Sequence, residues 1–181
     1  VFLATLFHGL VILPLIAWVF GGTRPLALLS NIMQPVITAL STSSSAATLP
    51  VSMNTAQKKF GVAPEIGSVV LPLGATVNMD GTALFEGIAA VFLAQMFGIP
   101  LDPITITTIF LVAMMASIGA PGVLSGSMAG MQLVLLSIGI PLEAIALLLV
   151  IERPLDTFRT AVNVEGDLVG CLFVSKRVQN K

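Results

Sequence analysis

Charged residues are scarce in this sequence. Asp, Glu, Lys and Arg together make up 9% of its 181 residues, where a soluble domain carries about 25%. That shortage excludes an ordinary soluble globule. The formal net charge of -1 leaves no basic field, which excludes a nucleic-acid partner. Cysteine occurs once, as Cys171, which excludes an internal disulfide and a multi-cysteine metal centre. Histidine also occurs once. His8 lies in an apolar run and reads as a structural side chain, buried or facing lipid, ahead of a proton relay. What the chain has instead is apolar surface: 56% of its residues are hydrophobic and the mean hydropathy is +1.02. It reads as an integral membrane protein or a piece of one. It starts inside an apolar segment with no initiator Met, so a fragment lacking its N-terminal part is expected. The opening run, residues 2–20, is too long and wrongly flanked for a signal peptide.

Taken in order, the chain divides into six stretches. Residues 1–22 predict a transmembrane helix kinked at Pro14, followed by a loop carrying Arg24. Residues 26–60 contain two apolar runs too short to span, separated by Ser41-Thr-Ser-Ser-Ser-Ala-Ala-Thr48 and bounded by Lys58 and Lys59. Two half-length helices around a polar tip predict a re-entrant hairpin, whose tip must be buried in protein or line a cavity. Residues 65–98 are long enough to span but are broken by Gly74-Ala-Thr-Val-Asn78-Met-Asp80-Gly81-Thr82. Broken helices of this kind, with freed carbonyls and oxygen-bearing side chains, are where secondary transporters bind cations. Residues 103–138 predict a second hairpin, tipped by Gly119-Ala-Pro-Gly122-Val-Leu-Ser-Gly126-Ser127. Residues 141–175 predict an amphipathic transmembrane helix, and residues 176–181 a basic tail. Hairpin plus broken helix thus occurs twice, and the turns Phe97-Gly-Ile-Pro-Leu-Asp102 and Ile138-Gly-Ile-Pro-Leu-Glu143 resemble each other. The fold class expected is all-α integral membrane, built from two inverted hairpin-plus-broken-helix repeats.

The last helix carries an energetic anomaly. Glu152, Asp156, Arg159, Asn163 and Asp167 fall at i, i+4, i+7, i+11 and i+15, within an arc of about 80° on a helix. A charge at mid-membrane costs on the order of 3 kcal/mol. Such a stripe must therefore face a polar, protein-lined cavity, and a substrate and ion site is the expectation. Charge also sets the topology. Arg24, Lys58, Lys59, Lys176, Arg177 and Lys181 share one side, while the loops holding Asp102 and Glu143 have no Lys or Arg. The positive-inside rule makes the first side cytoplasmic, with the C-terminus there. The two hairpins then enter from opposite sides, which suits alternating access.

Each polar group admits two readings. Arg159 offers a planar fork for a ligand carboxylate, or else pairs internally with Asp156. Asp156 is placed to receive an ammonium group. Asn78, Asp80, Asn163 and Asp167 offer hard oxygens to a small cation, or else form a hydrogen-bond network between helices. Thr160 touches substrate or bonds back to its own helix. The Ser43–Ser45 tip caps a helix or receives an anion at its N-terminus. Gly119 and Gly122 allow the second tip to flex, or allow close packing. Glu86 is a lone intramembrane acid, either a proton carrier or a carboxyl that stays protonated; Thr82 lies one turn before it on the same face. An intramembrane aspartyl protease using Asp80 and Asp167 is the enzyme alternative, but Val164 stands where its Gly-x-Gly-Asp pattern needs glycine. A passive channel is the third class, against which the two opposed hairpins argue.

Four ordered motifs carry a family resemblance: Ser43-Ser-Ser-Ala-Ala-Thr-Leu-Pro50, Asn78-Met-Asp-Gly-Thr82, Ser117-Ile-Gly-Ala-Pro-Gly122 and Asp156-x-x-Arg-Thr-x-x-Asn-x-x-Gly-Asp167. Through them essentially the whole chain resembles the dicarboxylate/amino-acid:cation symporters, the family of the excitatory glutamate transporters. The resemblance implies an elevator-type transport domain, here partial, of a plasma-membrane homotrimer (the cell inner membrane in a bacterium). The static scaffold and one transport-domain helix would be missing, so the fragment alone is expected to be inactive. It further implies that Arg159 holds a substrate side-chain carboxylate and Asp156 its amino group. Thr160, Asn163 and Thr82 complete the pocket, and backbone around Ser44, Ser45, Gly122 and Val123 closes it. Having both Asp156 and Arg159 points to glutamate or aspartate. Sodium would be held by Asp167 with carbonyls of Gly74, Asn78 and Asn163, and by carbonyls of Thr76, Ser117, Ile118 and Ala120. Asp80 would serve a third site. Glu86 stands where relatives carry a proton-coupling glutamate linked to potassium counter-transport. The expected function is sodium-coupled symport of acidic amino acids, with protons or potassium as further coupled ions. Proton-coupled symport of glutamate or a C4-dicarboxylate is the alternative. The chain departs from the family pattern at Leu124 and Ser127 of the second tip, where relatives have Pro and Gly. It also departs at Ser43 and Thr157, where many have an arginine, and at Glu152, where several have Asp.

Overall fold

The computed structural model describes residues 1–123 and 125–179, and among them every regular element is helical. Helix α1 covers Phe2–Val19. Its backbone widens into a π turn at His8–Ile12, where the Leu13 N–H reaches back to His8 O. Pro14 follows in the next turn. The distortion expected at Pro14 therefore lies just before it: the wider turn takes up the missing N–H and the ring that an α-turn cannot accommodate.

Helices α2 (Pro25–Asn31) and α3 (Met33–Thr42) lead to the first tip. Pro25 opens α2 from an extended Arg24, the position where its fixed φ suits a helix start. Ser43 ends α3 in the left-handed region at φ +48. Ser44 is extended and caps α4 (Ser45–Phe60) by accepting the Ala47 N–H at 3.1 Å. The break expected over residues 41–48 is thus only Ser43 and Ser44, because one left-handed and one extended residue suffice to reverse the chain. Gly61, at φ +66, ends α4.

Helices α5 (Pro64–Val77) and α6 (Asp80–Met96) form the interrupted helix. Its break is also narrower than expected. Gly74 and Thr76 remain helical, as do Asp80 and Thr82, and only Asn78 and Met79 leave the helix. Asp102 caps α7 (Pro103–Ile118) by accepting the Thr105 N–H at 2.7 Å. That bond holds the Asp102 carboxyl below its ordinary range. Helix α8 (Ser127–Ser137) completes the second hairpin, whose non-helical tip begins at Gly119. Leu124 in this tip lies outside the described residues, as do Asn180 and Lys181 of the tail.

A short 3₁₀ turn, Leu142–Ala144, leads into α9 (Ile145–Gln179). This helix was expected to be a second broken one, yet it runs unbroken for 35 residues through Pro154. It also absorbs most of the expected basic tail, placing Lys176 and Arg177 in its last turn, where cations complement the helix dipole.

Helix α9 is the axis on which the rest packs. It touches α1, α3, α4, α5 and α6. Its C-terminal half enters an apolar core with Leu13, Leu28, Ile32 and Leu71, through Val162, Leu168, Val169 and Leu172. Its N-terminal half enters another, where Leu148 meets Phe85, Leu93, Met131 and Leu135. Between the two cores lies the polar stripe. Outward-facing Leu3, Leu26, Ile104, Met115 and Val150 are each at least 74% exposed. An apolar outside around a polar inside suits a lipid solvent. By length and composition Phe2–Val19 and Pro64–Met96 can cross a bilayer.

Candidate functional site

All five residues of the stripe are buried in protein, as the cost of placing them in lipid requires. Arg159, 1% exposed, is the largest fully buried side chain. Its Nη2 donates to Asp156 Oδ1 at 2.7 Å and to Glu152 Oε1 at 3.1 Å. Its guanidinium also stacks on the Phe85 ring, 4.1 Å from the centroid. Internal pairing is therefore present and includes Glu152 as well as Asp156. The turn spacing decides: Glu152 and Arg159 share a face, whereas Arg153 points outward. Internal pairing does not exhaust the fork, however. Nε and Nη1 of Arg159 have no partner among the described residues.

The two tips meet above this group. Gly122 O of the second hairpin accepts the Ser44 hydroxyl at 2.9 Å and the Ala46 N–H at 3.1 Å, both from the first hairpin. Gly122 itself presses on the end of α5: a Cβ there would lie 2.5 Å from Ala75 O. Ser43 Oγ lies 3.2 Å from Thr157 Oγ1 on α9. Two of the departures from the family pattern, Ser43 and Thr157, are thus hydroxyls in contact. From the second tip, Ser125 donates its N–H to Asp156 Oδ2 at 3.1 Å and its hydroxyl to Glu152 Oε2 at 3.0 Å. A small cavity of about 10 Å³ remains, lined by Ser45, Thr82, Gly122, Val123, Asp156, Thr160 and Asn163, among others. Seven of the nine expected substrate residues thus line one space, joined there by Ser43, Met79 and Ser127, whereas Ser44 and Arg159 do not line it; Arg159 reaches it through its bond to Asp156. Thr160 also bonds back to Asp156 O at 2.8 Å, the alternative the sequence left open.

The lower end of the stripe engages the break between α5 and α6. Asn163 Oδ1 accepts the Gly81 N–H at 2.8 Å, and its Nδ2 donates to Thr82 Oγ1 at 3.1 Å. Asn78 Nδ2 donates to Asp167 Oδ1 at 3.1 Å. Gly74 admits the Asp167 carboxylate so closely that a Cβ would stand 2.6 Å from Oδ1. Gly74 and Asn78 therefore both touch the Asp167 carboxylate, Asn78 through its side-chain amide. Ser117 and Ala120 are buried, while the Thr76 and Ile118 side chains are exposed. Ser117 and Ile118 line, with Asn78 and Asp80, a largely apolar cavity of about 570 Å³ between α6 and α7. Among the described residues no three His, Cys, Asp or Glu side chains converge as a metal centre. A divalent ion held by converging carboxylates is therefore not what this geometry offers.

Three features escaped the sequence. His8 Nε2 lies 2.7 Å from Asp80 Oδ2, so the lone histidine neither faces lipid nor stands idle. Glu165, just off the stripe, is 5% exposed, and its Oε1 has no partner among the described residues. Ser125 carried no signal in the sequence, because only the fold of the tip brings it to α9. Glu86 lies apart from the stripe, fully buried against Gly130 of α8, with neither carboxyl oxygen partnered among the described residues.

Buried, paired charges facing hairpin tips, beside a helix interrupted at Asn78 and Met79, are the arrangement by which membrane transporters hold substrates and ions. The comparisons agree. The model of the sodium:dicarboxylate symporter family matches residues 1–177, and the chain belongs to that family. It is 44% identical over 170 residues to excitatory amino acid transporter 2 of Homo sapiens, covering 94% of this chain and 30% of that protein. It is 45% identical over 163 residues to neutral amino acid transporter B(0) of Mus musculus, covering 90% and 30%. An excitatory amino acid transporter of Caenorhabditis elegans is 43% identical over 163 residues, covering 90% and 32%. The chain thus spans about a third of the length of these relatives. Family membership sets the protease alternative aside.

Proposed function

We propose that this chain is the substrate- and ion-binding part of a secondary active symporter that carries glutamate or aspartate with sodium. The observation that carries this reading is the buried Arg159, with two guanidinium nitrogens unpartnered among the described residues and a third bonded to Asp156 of the small cavity. A desolvated donor without a partner costs about 1–3 kcal/mol. A ligand carboxylate gripped by the free edge removes that cost. Asp156 receives the amino group, and Ser44, Ser45, Thr82, Gly122, Val123, Thr160 and Asn163 enclose the rest. The relatives include carriers named for neutral as well as excitatory amino acids. A buried arginine bonded to the pocket's Asp156 favours the acidic class.

Sodium travels as cargo. Asp167, with carbonyls of Gly74, Asn78 and Asn163, binds one ion; carbonyls of Thr76, Ser117, Ile118 and Ala120 bind a second; Asp80 serves a third. Glu86 carries a proton across with the substrate, and potassium return is a further coupling this position suits. The two hairpins are re-entrant from opposite sides of the plasma membrane, with the C-terminus cytoplasmic. The domain moves as an elevator within a homotrimer. The test is uptake by the full-length protein in liposomes under a sodium gradient. Gradient-driven aspartate or glutamate uptake is expected. None at all would overturn the reading, and uptake driven by a pH gradient alone would favour the proton-coupled alternative.

A further inference from the structure

Ser125 stands in the second tip at φ +58, a conformation that costs a side-chain-bearing residue about 1–2 kcal/mol. What it gains there is contact with two acids at once. Its N–H reaches Asp156 Oδ2 at 3.1 Å and its hydroxyl reaches Glu152 Oε2 at 3.0 Å. The other oxygen of each acid holds Arg159 Nη2. One residue of the hairpin thus satisfies the outer face of both carboxyls whose inner face holds the arginine. Both acids are at least 95% buried with the tip in place, so there the two Ser125 contacts stand in for water.

We propose that Ser125 is a latch that fastens the second hairpin to α9, and that an amino-acid substrate opens it by taking over Asp156. The proposal rests on the substrate reading given above. The cavity of about 10 Å³ beneath the tips has room for a water molecule at most. An amino acid enters only if a tip moves, and lifting the second one breaks both Ser125 contacts. The substrate ammonium replaces the lost N–H at Asp156, whereas nothing on the substrate replaces the hydroxyl at Glu152. The hydroxyl therefore opposes opening for every ligand. The Asp156 contact favours ligands with an amino group over plain dicarboxylates. Ser125 is a positioning residue: it acts on substrate through Asp156 and Glu152.

The experiment uses the full-length protein in lipid nanodiscs, with Ser125→Ala and Ser125→Gly. Two quantities are read: aspartate affinity in sodium, and, without substrate, the thiol-labelling rate of a Ser127→Cys reporter, a position 4% exposed at the base of the second tip. Removing the hydroxyl should speed labelling and tighten aspartate binding by about tenfold or more, the scale of one hydrogen bond to a charged group. A merely structural role predicts weaker binding, so tighter binding is diagnostic. The gain should shrink when Glu152→Gln is already present, since the two residues share one bond. Unchanged labelling with unchanged or weaker binding in both variants would overturn the latch. Should the unaltered protein not bind aspartate, the substrate reading falls instead, and the labelling rates still decide whether Ser125 fastens the tip.

Discussion

Arg159 shows how burial turns an ordinary ion pair into a binding group. One of its nitrogens serves two carboxyls, and a ring covers the guanidinium face, yet its remaining edge has no partner among the described residues. Arg159→Ala should weaken acidic substrate binding about 100-fold or more, the scale of unpairing a buried charge, measured as aspartate affinity in the full-length protein. Neutral amino acids should be affected far less; equal loss for both would remove Arg159 from the pocket. Glu86 makes the contrasting case. Its carboxyl is buried and unpartnered among the described residues, and Gly130 leaves it space on the second hairpin, where a Cβ would lie within van der Waals overlap of Oε1. If a proton rides on it, Glu86→Gln should flatten the pH dependence of uptake while sodium dependence remains. An unaltered pH profile would count against the proton role.

At the scale of elements, the tips and the helix break are sites because close backbone approach replaces side-chain bulk. Gly122 touches Ala75 O, Gly81 touches Arg159 O, and Gly74 touches Asp167. Gly122→Ala would put a methyl 2.5 Å from a backbone oxygen that cannot rotate away. We expect a cost of about 1–3 kcal/mol to the closed arrangement of the two tips, seen as a lower melting temperature and weaker substrate binding. Unchanged values for both would mean the tips do not close as described. The sequence showed where each hairpin turns but overstated how much helix is lost there. Hydroxyl and glycine residues at 41–48 and 74–82 are permissive of a break. Only the packing decides which two residues leave the helix: Ser43 and Ser44 in one case, Asn78 and Met79 in the other. Likewise Pro154 did not break α9: Leu148 before it and Leu155 after it are held by the same apolar core.

At the scale of the molecule, α9 joins two apolar cores through a polar middle, with an apolar exterior. The sequence by itself determined the membrane class, the helical elements, the two tips and the polar face of α9. Each of these follows from local composition or from helical periodicity, which need no knowledge of neighbours. It also supplied, through its motifs, the residues that the fold gathers around the pocket. Only the tertiary structure decided the pairings: Glu152 with Arg159, His8 with Asp80, Ser125 with both acids of the stripe, and Gly122 with the opposite tip. Most of these partners lie far apart in the chain, on elements whose relative placement is fixed by burial of apolar faces. No local pattern announces which hydroxyl will meet which carboxylate once those faces have closed.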